Sequence, residues 1–427
     1  MSAAYKFRLY PNKEQKETFS RYFGCSRVVW NKALELRENY YKEHKSDKSK
    51  KGLNYYDTAR LLKELKQKEE YKWLKEANSQ SLQQTLMDLD KAFKAFFKGV
   101  SKYPKYKKKS NRQSFRIPQH FNFDDGVLYL PKMGKGIRME DHREFPRDKV
   151  KQLTVTKTPT GRYFVSLTVD DKKEAPVKVK ITNNPNKTIG IDMGLKDFAA
   201  LSNGIKIANQ KYLQRAEKLL KSRQRTLSRK QKGSNNRDKA RLMVARTHER
   251  VTDQRNDFLH KVSTAITKWF DTIVIETLNI QGMKRNHSLA KSISNASWGR
   301  FFQFLKYKAE KQGKNIIEIG VFEKSSKTCH VCGHVNNSLT LNKREWICQD
   351  CNTQLDRDVN AAINIRDLGL EQIGLNLIPS DRGEFKPVEN PLTAELAKMK
   401  ISARSTSHDP KKQEPVLQQI AAEAHAL

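Results

Sequence analysis

The sequence predicts a multidomain protein that combines α+β and α/β parts, and three observations support this fold class. First, 427 residues are long for one domain, and usual domain sizes suggest two to four. Second, the hydrophobic period is helical over about 13–100 and alternates over about 115–170. Third, an α/β pattern begins near residue 187 and is interrupted by cysteines at 329–351. Since 37% of the residues are apolar, with 19 Phe, 14 Tyr and 5 Trp, the chain can build sizeable cores and we do not expect wholesale disorder.

The charge of the chain indicates its partner. Lys and Arg number 83 against 47 Asp and Glu, which gives a formal charge of +36. Such an excess favours a polyanionic partner, and nucleic acid is the usual one. No apolar run approaches the ~18 residues of a membrane span, and the first residues lack a signal-peptide core. We therefore expect no membrane partner and a cytoplasmic protein.

The first half of the chain predicts a helical segment enclosed by strands. Residues 5–10 alternate apolar and basic side chains, and Pro11 ends this strand. Helical spacing follows to about residue 100, and four strands are expected within 115–170. These strands predict a small β-barrel, which the strand at 5–10 would complete. A charged linker is expected over 171–186.

Residues 102–112 form a basic loop that is interleaved with aromatic residues. Lysines there can neutralise phosphates while tyrosine rings offer stacking faces to bases. The alternative interpretation is a solvated linker. The candidate nucleic-acid contacts in this loop are Tyr103, Lys105, Tyr106, Lys107 and Lys108.

Three acids are expected to converge. Asp192 ends an apolar strand, Glu276 ends a second apolar run, and Asp358 lies at the start of a helix. Carboxylates on rigid elements suit magnesium, and two such ions activate water in phosphodiester hydrolysis. Taken singly, each acid is more typical of a structural role than of a catalytic one, so the hypothesis depends on the set of three. Asp197 and Asp356 are interpreted as structural or supporting acids.

Four cysteines have the spacing of a zinc ribbon. Cys329 and Cys332 form one pair, and Cys348 and Cys351 form another after fifteen residues. Four thiolates close the coordination sphere of zinc, so the metal would be structural. The alternative is a set of free thiols. Cys25 is expected to be a small buried residue.

A basic helical pair is expected over 211–250, where fourteen Lys or Arg face three acids and a turn lies at 233–236. Solvated helices usually alternate charge sign, so we favour phosphate contacts. The candidates are Arg223, Arg225 and Arg229. Beyond residue 370 the chain carries five prolines within 379–427 and no net charge there, which predicts a disordered or weakly helical tail that chemistry does not need.

Six segments, in order along the chain, carry a resemblance to a known family. They are 8–15 (RLYPNKEQ), 190–197 (GIDMGLKD), 228–234 (SRKQKGS), 248–261 (HERVTDQRNDFLHK), 325–329 (SSKTC) and 356–364 (DRDVNAAIN). The chain resembles the OrfB/TnpB proteins of bacterial insertion sequences, which are compact RNA-guided nucleases related to type V CRISPR effectors.

The resemblance implies a domain plan. A β-barrel wedge domain would comprise 1–12 and 113–180, with a helical recognition lobe inserted at 13–112. An RNase H-like RuvC nuclease domain would comprise 187–324 and 356–370, with a zinc ribbon at 325–355. Residues 371–427 have no counterpart in the family.

The resemblance also implies function. Asp192, Glu276 and Asp358 match the family's catalytic acids, and the cofactors would be magnesium, zinc and a guide RNA transcribed from the right end of the transposon. The target would be double-stranded DNA, cut beside a short motif. Residues that match the family's motif-reading positions are Tyr55, Ser79, Gln80 and Gln83. Two alternatives stay open: a non-catalytic regulator that binds nucleic acid, and a transposase that joins strands.

Overall fold

The computed structural model describes residues 2–47, 49–110, 112–170, 174, 176–182, 184, 186–320, 325–340, 343–375, 391–399 and 401–405. The chain divides into two compact units, Met1–Glu174 and Ala175–Leu427. Helices and strands are mixed in both units, which confirms the predicted multidomain α+β architecture.

The first unit contains a helical layer and one antiparallel sheet. Its elements are β1 (Ser2–Tyr10), α1 (Lys13–His44), α2 (Tyr55–Leu65), a 3-10 helix (Glu69–Glu76), α3 (Ser79–Phe97), β2 (Gln113–Ile117), β3 (Asn122–Asp124), β4 (Val127–Tyr129), β5 (Ile137–Met139), a short 3-10 turn (Arg147–Lys149), β6 (Val150–Lys157) and β7 (Tyr163–Asp170). The strand order is β2-β6-β7-β1-β5-β4-β3. The first strand of the chain therefore lies within this sheet, between β7 and β5.

In the strand pairings that the structure describes, β2 and β3 are the two edge strands of this sheet. Closure of the sheet into a barrel therefore stays a prediction. Pro11 ends β1, and the Asn12 side chain accepts from Gln15 N while the Gln15 side chain accepts from Asn12 N. This reciprocal capping starts α1 at once. Phe19 then packs 5.5 Å from the ring of Phe115 and 5.6 Å from that of Tyr163, so the helical layer and the sheet share one core.

The second unit is built on a six-stranded mixed sheet. Its elements are β8 (Thr188–Met193), β9 (Asp197–Leu201), β10 (Ile205–Ala208), α4 (Tyr212–Ser228), α5 (Asn235–Trp269), β11 (Thr272–Glu276), α6 (Ile280–Met283), α7 (His287–Ala296), α8 (Trp298–Lys311), β12 (Asn315–Ile319), β13 (Glu345–Ile347), β14 (Gln354–Asp356), α9 (Arg357–Glu371), α10 (Pro391–Lys398) and β15 (Ala403–Ser405). The order is β12-β11-β8-β9-β10-β15, and β8, β11 and β12 run parallel.

The interpretation of 371–427 as a disordered tail is wrong for the part that the structure describes beyond α9. α10 buries Leu392 and Leu396 in the core of the second unit, and β15 pairs with β10 at the sheet edge. Arg404 Nη2 also lies 2.8 Å from Asp197 Oδ2. Prolines and balanced charge misled the prediction, because a short apolar helix of this kind gains its stability from the core that it covers. Residues 376–390 and 406–427 lie outside the described residues.

Candidate functional site

Two of the predicted acids stand on neighbouring parallel strands. Asp192 lies near the end of β8 and Glu276 is the last residue of β11. Ile191 of β8 is paired with Ile275 of β11, so the residues that follow them lie side by side. The carboxyl ends of parallel strands meet at one sheet edge, and this register brings both carboxylates to it.

Helix α9 carries the third acid, and a glycine sets how closely the helix approaches. A Cβ at Gly190 of β8 would overlap the carbonyl oxygen of Ala362 and the backbone nitrogen of Arg366 in α9. Only a glycine permits this backbone contact. Asp358 is the second residue of α9, so the contact places its side chain near the end of β8.

The other two acids affect the pKa of Asp192. Burial of the side chain, followed by the charges of Asp358 and Glu276, raises the pKa of Asp192 to about 7. Burial also raises the pKa of Glu276. Such a cluster of half-buried carboxylates favours a bound cation, and oxygen donors are those that magnesium prefers.

Two arginine side chains form ion pairs with Asp358. Arg344 Nη1 lies 2.9 Å from Oδ1 and 2.8 Å from Oδ2 of Asp358, and Arg357 Nη2 lies 3.1 Å from Oδ1. Among the described residues, the potential metal ligands that lie within 4.8 Å of one another are four cysteines and not these acids. The carboxylates therefore interact electrostatically but stand wider apart than a closed ligand set.

A buried lysine supports the start of α9. Lys206 of β10 is 4% exposed, and its Nζ lies 2.6 Å from Asp356 Oδ2 and 3.7 Å from Asp358 Oδ2. Asp356 Oδ1 accepts from the backbone nitrogens of Asp358 and Val359, so Asp356 is the N-cap of α9. Its side chain thus has a supporting role, as the sequence suggested.

The four cysteines form a compact cluster. Sγ of Cys329 lies 3.7 Å from Sγ of Cys351, and Sγ of Cys332 lies 3.5 Å from Sγ of Cys348. A tetrahedral ion with bonds of about 2.3 Å separates its sulfur ligands by roughly 3.8 Å, so the donor set fits zinc. After each cysteine pair one residue adopts positive φ, Gly333 at 81° and Asn352 at 56°. These two turns fold each pair around a common point.

The four predicted motif-reading residues do not form one group. Ser79, Gln80 and Gln83 lie on the first turns of α3, with Ser79 and Gln83 exposed. Lys66, just beyond α2, donates to Ser79 Oγ at 3.1 Å, so the end of α2 adjoins this turn. Tyr55 starts α2, and eleven helical residues span about 16 Å. The structure therefore leaves Tyr55 at the far end of α2.

The basic loop is fixed to α1. Lys107 lies with its Nζ 3.7 Å from the Trp30 ring centroid, and burial lowers the pKa of Lys107 to about 8. Tyr106 donates to Glu38 Oε2 at 2.7 Å, and burial with this bond raises the pKa of Tyr106 to about 12. Tyr103 packs edge-on against Phe93. Of the five predicted contacts in this loop, Lys107 is half-buried, and the other four are exposed: Tyr103, Lys105, Tyr106 and Lys108.

The predicted basic helical pair is present as α4 and α5. Gly233 takes φ of 87° in the connection and Ser234 caps α5. None of the side chains of α4 is buried, so this helix is a surface element. Arg223 donates to Met243 O at 3.1 Å and to Thr247 Oγ1 at 2.6 Å, which fastens α4 to α5. Arg225 and Arg229 are exposed and fit the predicted phosphate contacts.

Sequence reasoning missed four residues of the site: Lys206, Arg344, Asn360 and Asn364. A signal existed for three of them. Lys206 is the one charged residue in the strand Ile205–Ala208, and the asparagines stand four apart on one helical face. Nothing in the sequence distinguishes Arg344 from its basic neighbours, because its role depends on where the cysteine segment folds.

Within the part of the chain that the structure describes, every helix is too short or too polar to cross a membrane.

Comparison with known proteins matches three stretches of the chain to protein families. Residues 1–46 match a family described as a helix-turn-helix domain, and residues 165–287 match the OrfB_IS605 family, described as "Probable transposase". Residues 298–365 match a Cas12f1-like TNB domain. Asp192 and Glu276 lie in the second match, while Asp358 and the four cysteines lie in the third.

Two curated proteins are similar to the chain over most of their length. The "Putative RNA-guided DNA endonuclease" of Streptomyces pristinaespiralis is 41% identical over 373 residues, which cover 86% of this chain and 89% of that protein. "Putative RNA-guided DNA endonuclease InsQ" of Escherichia coli (strain K12) is 32% identical over 384 residues, covering 86% and 92%. A chain of the "Cryo-EM structure of the Cas12f1-sgRNA-target DNA complex" is 16% identical, with a TM-score of 0.49 and 83% of each chain covered.

Proposed function

Since the chain belongs to the OrfB/TnpB family, we propose that it is a transposon-encoded, RNA-guided DNA endonuclease that supports retention or movement of its element. The observation that carries the proposal is the set of Asp192, Glu276 and Asp358 at one edge of the second unit's sheet. Its partners are a guide RNA and double-stranded target DNA. The relatives at 41% and 32% identity, both named as endonucleases of this kind, support the assignment.

We propose that the three acids are the catalytic residues of a RuvC-like nuclease domain. Their carboxylates supply oxygen ligands on two strands and one helix, and rigid elements of this kind hold a geometry well. Lys206, through the N-cap Asp356, keeps the first turn of α9 in place. The Arg344 side chain is 38% exposed, so it can move into solvent. Arg344 would then release Asp358 when another cation binds that carboxylate.

Magnesium bound to these acids would supply Lewis acidity and an activated water for phosphodiester hydrolysis, in a two-ion arrangement. The chain's part is to present ionised carboxylates. Protonation of Asp192 would oppose cation binding, because the pKa of Asp192 is about 7 without a cation. Removing the repulsion among the carboxylates would lower that pKa and keep Asp192 charged at neutral pH.

We propose that the four cysteines hold one structural zinc ion. Four thiolates leave no open position for water, so the cluster folds the segment rather than reacting. Cys348→Ser should lower zinc content and thermal stability together, as measured by metal analysis and calorimetry. Unchanged zinc stoichiometry in that variant would contradict the ligand set.

We propose that nucleic acid binds the exposed basic helices and the first turns of α3. Arg225 and Arg229 contact phosphates of the guide, while Ser79, Gln80 and Gln83 read the motif beside the target. The exposure of α4 and of Lys105 and Lys108 in the first unit supports this distribution. Tyr55 is a weaker candidate because it stands at the other end of α2.

The test is cleavage of a plasmid that carries the target and its adjacent motif, by the purified full-length protein with its guide RNA and magnesium. We expect double-strand breaks that require both the guide and the metal. Binding that weakens steeply with salt but yields no product would favour the regulator. Joined strands, formed when transposon ends are supplied, would favour the transposase.

A further inference from the structure

Two asparagines of α9 connect the cysteine cluster to the helix that carries Asp358. Asn360 Oδ1 accepts from the backbone nitrogen of His330 at 3.0 Å and lies 2.9 Å from His330 Nδ1. Asn360 Nδ2 donates to the carbonyl oxygen of Thr328 at 2.7 Å. The amide of one side chain therefore bonds on both sides of Cys329.

Asn364 repeats the connection one helical turn later. Its Nδ2 donates to the carbonyl oxygen of Ser325 at 2.6 Å and to that of Thr328 at 2.7 Å. Asn360 is 1% exposed and Asn364 is 9% exposed. A buried amide that loses its partners costs about 1–3 kcal/mol, so both side chains depend on the backbone conformation of 325–330.

That backbone conformation belongs to the metal site. Thr328 precedes Cys329, and His330 lies between Cys329 and Cys332. Cys329 N donates to His334 O at 2.8 Å and Gly333 N donates to Cys329 O at 2.9 Å, so the turn closes around the two sulfur atoms. Because a small ribbon has little core of its own, we expect this turn to loosen when its metal is removed.

The same segment reaches the first residues of α9 from its other end. The backbone nitrogen of Arg357 donates to Arg344 O at 2.7 Å, and the Arg344 side chain contacts Asp358. The cysteine segment therefore contacts Asp358 directly, through Arg344. It also contacts Asn360, which lies two residues further along the helix. Loosening of the turn at Cys329 would free the first turn of α9 on that side.

We propose that Asn360 and Asn364 are positioning residues which transmit the metal occupancy of the cysteine cluster to Asp358. Zinc at the four cysteines fixes the turn, the turn satisfies the two amides, and the amides hold the start of the helix so that Asp358 stays near Asp192. The proposal rests on the proposed function for its effect on cleavage. Its structural step, from zinc to α9, stands on the contacts alone.

The experiment is a thermodynamic cycle with the full-length zinc-loaded protein. Hydrogen exchange of the amides at 358–362 is measured with and without a zinc chelator, in the parent and in Asn360→Ala/Asn364→Ala. In the parent, we expect chelation to lower protection there on the order of tenfold, within the 5–150-fold range of site-to-site coupling. The double variant should show low protection from the start and little further decrease on chelation.

Asn315→Ala is the matched control. Asn315 is also buried and its Nδ2 donates to Val179 O at 2.8 Å, but it lies at the start of β12, away from the cysteines. We expect this variant to respond to chelation as the parent does. Because coupling is reciprocal, the double variant should also bind zinc more weakly, by the same factor, in a competition with a chromophoric chelator.

Equal decreases of protection on chelation in the parent and in the double variant would overturn the proposal. So would full protection of 358–362 in the double variant. Guide-dependent cleavage should fall in the double variant, by up to about a hundredfold if Asp358 moves by roughly 1 Å, and stay at the parent's rate in Asn315→Ala. If the parent itself does not cut DNA, the proposed function fails, while the exchange cycle still decides this inference.

Discussion

At the scale of single residues, the surroundings of Asp192 strongly raise the pKa of its carboxyl group. Burial and two further carboxylates raise its pKa from 3.8 to about 7. The folded chain therefore binds a proton that the unfolded chain releases between about pH 4 and pH 7. The stability that this group contributes is greatest below pH 4 and is lost as the pH rises to about 7.

This sign predicts the behaviour of Asp192→Asn in metal-free solution. Residue 192 cannot ionise in this variant, so the variant should be more stable than the parent at pH 8. Its melting temperature should be higher by about 2–4 °C for each kcal/mol by which its free energy of unfolding exceeds the parent's. The difference should vanish near pH 4. Differential scanning calorimetry over this range checks it, with Asp238→Asn, which removes an exposed carboxylate on α5, as the comparison variant. A parent that is more stable than the variant at pH 8 would contradict the account.

Residue by residue, the sequence singled out Asp192 and Glu276 because each is the single acid that ends an apolar run, and Asp358 because it lies at the start of a helix. For Arg223 and Lys107 their charges indicated phosphate contacts, and the structure shows a partner within the chain for each. The structure uses Arg223 between two helices and stacks Lys107 on Trp30. A basic side chain looks the same in sequence whether its partner is a phosphate, a carbonyl oxygen or an aromatic ring, so tertiary packing decided both.

At the scale of secondary-structure elements, α4 and α5 offer a test that separates these two uses of arginine. Replacing exposed Arg225 and Arg229 by Gln should weaken guide binding, because each arginine is expected to neutralise a phosphate. The slope of log affinity against log salt should fall by about one unit for each phosphate that is no longer neutralised. Filter binding of labelled guide at several salt concentrations measures this slope.

Arg223→Gln serves as the internal comparison for this series. Its side chain bonds to Met243 O and Thr247 Oγ1, so its removal should lower thermal stability and leave the salt slope unchanged. If Arg223→Gln flattens the slope and the two exposed arginines do not, the assignment of roles along α4 is reversed.

The segment 391–405, which the sequence predicted to be part of a disordered or weakly helical tail, forms α10 and β15. Truncation of the chain tests its role. A chain that ends at residue 405 keeps every described contact of α10 and β15, and we expect its melting temperature to match the parent's. A chain that ends at 375 lacks the buried Leu392, Leu396 and Ile401. Each buried Leu side chain contributes about 2–5 kcal/mol, so this chain should melt well below the parent or fail to fold.

Equal melting temperatures for the two truncated chains would show that the core of the second unit closes without α10. Melting of the 405 chain well below the parent would assign a stabilising role to residues beyond it.

At the scale of the whole molecule, periodicity and spacing predicted the helical layer, the N-terminal strand in the first sheet, the acid-bearing strands and the cysteine cluster. These features follow from local patterns, because burial and metal binding constrain residue types at fixed intervals. The pairing of β15 with β10, the close approach of α9 to Gly190 and the asparagine contacts could not be predicted. Each joins residues distant in sequence, and many other partners would satisfy the same local pattern.

The central claim is that Asp192, Glu276 and Asp358 bind divalent cations together, and iron-directed backbone cleavage tests it most directly. Fe²⁺ substitutes for magnesium at carboxylate sites, and with ascorbate and peroxide it generates radicals that cut the nearby backbone. Mass spectrometry of the full-length protein should find cuts beside all three residues, suppressed by excess magnesium and absent in Asp192→Ala. Cuts confined to one segment, or equal cutting in Asp192→Ala, would contradict a shared site.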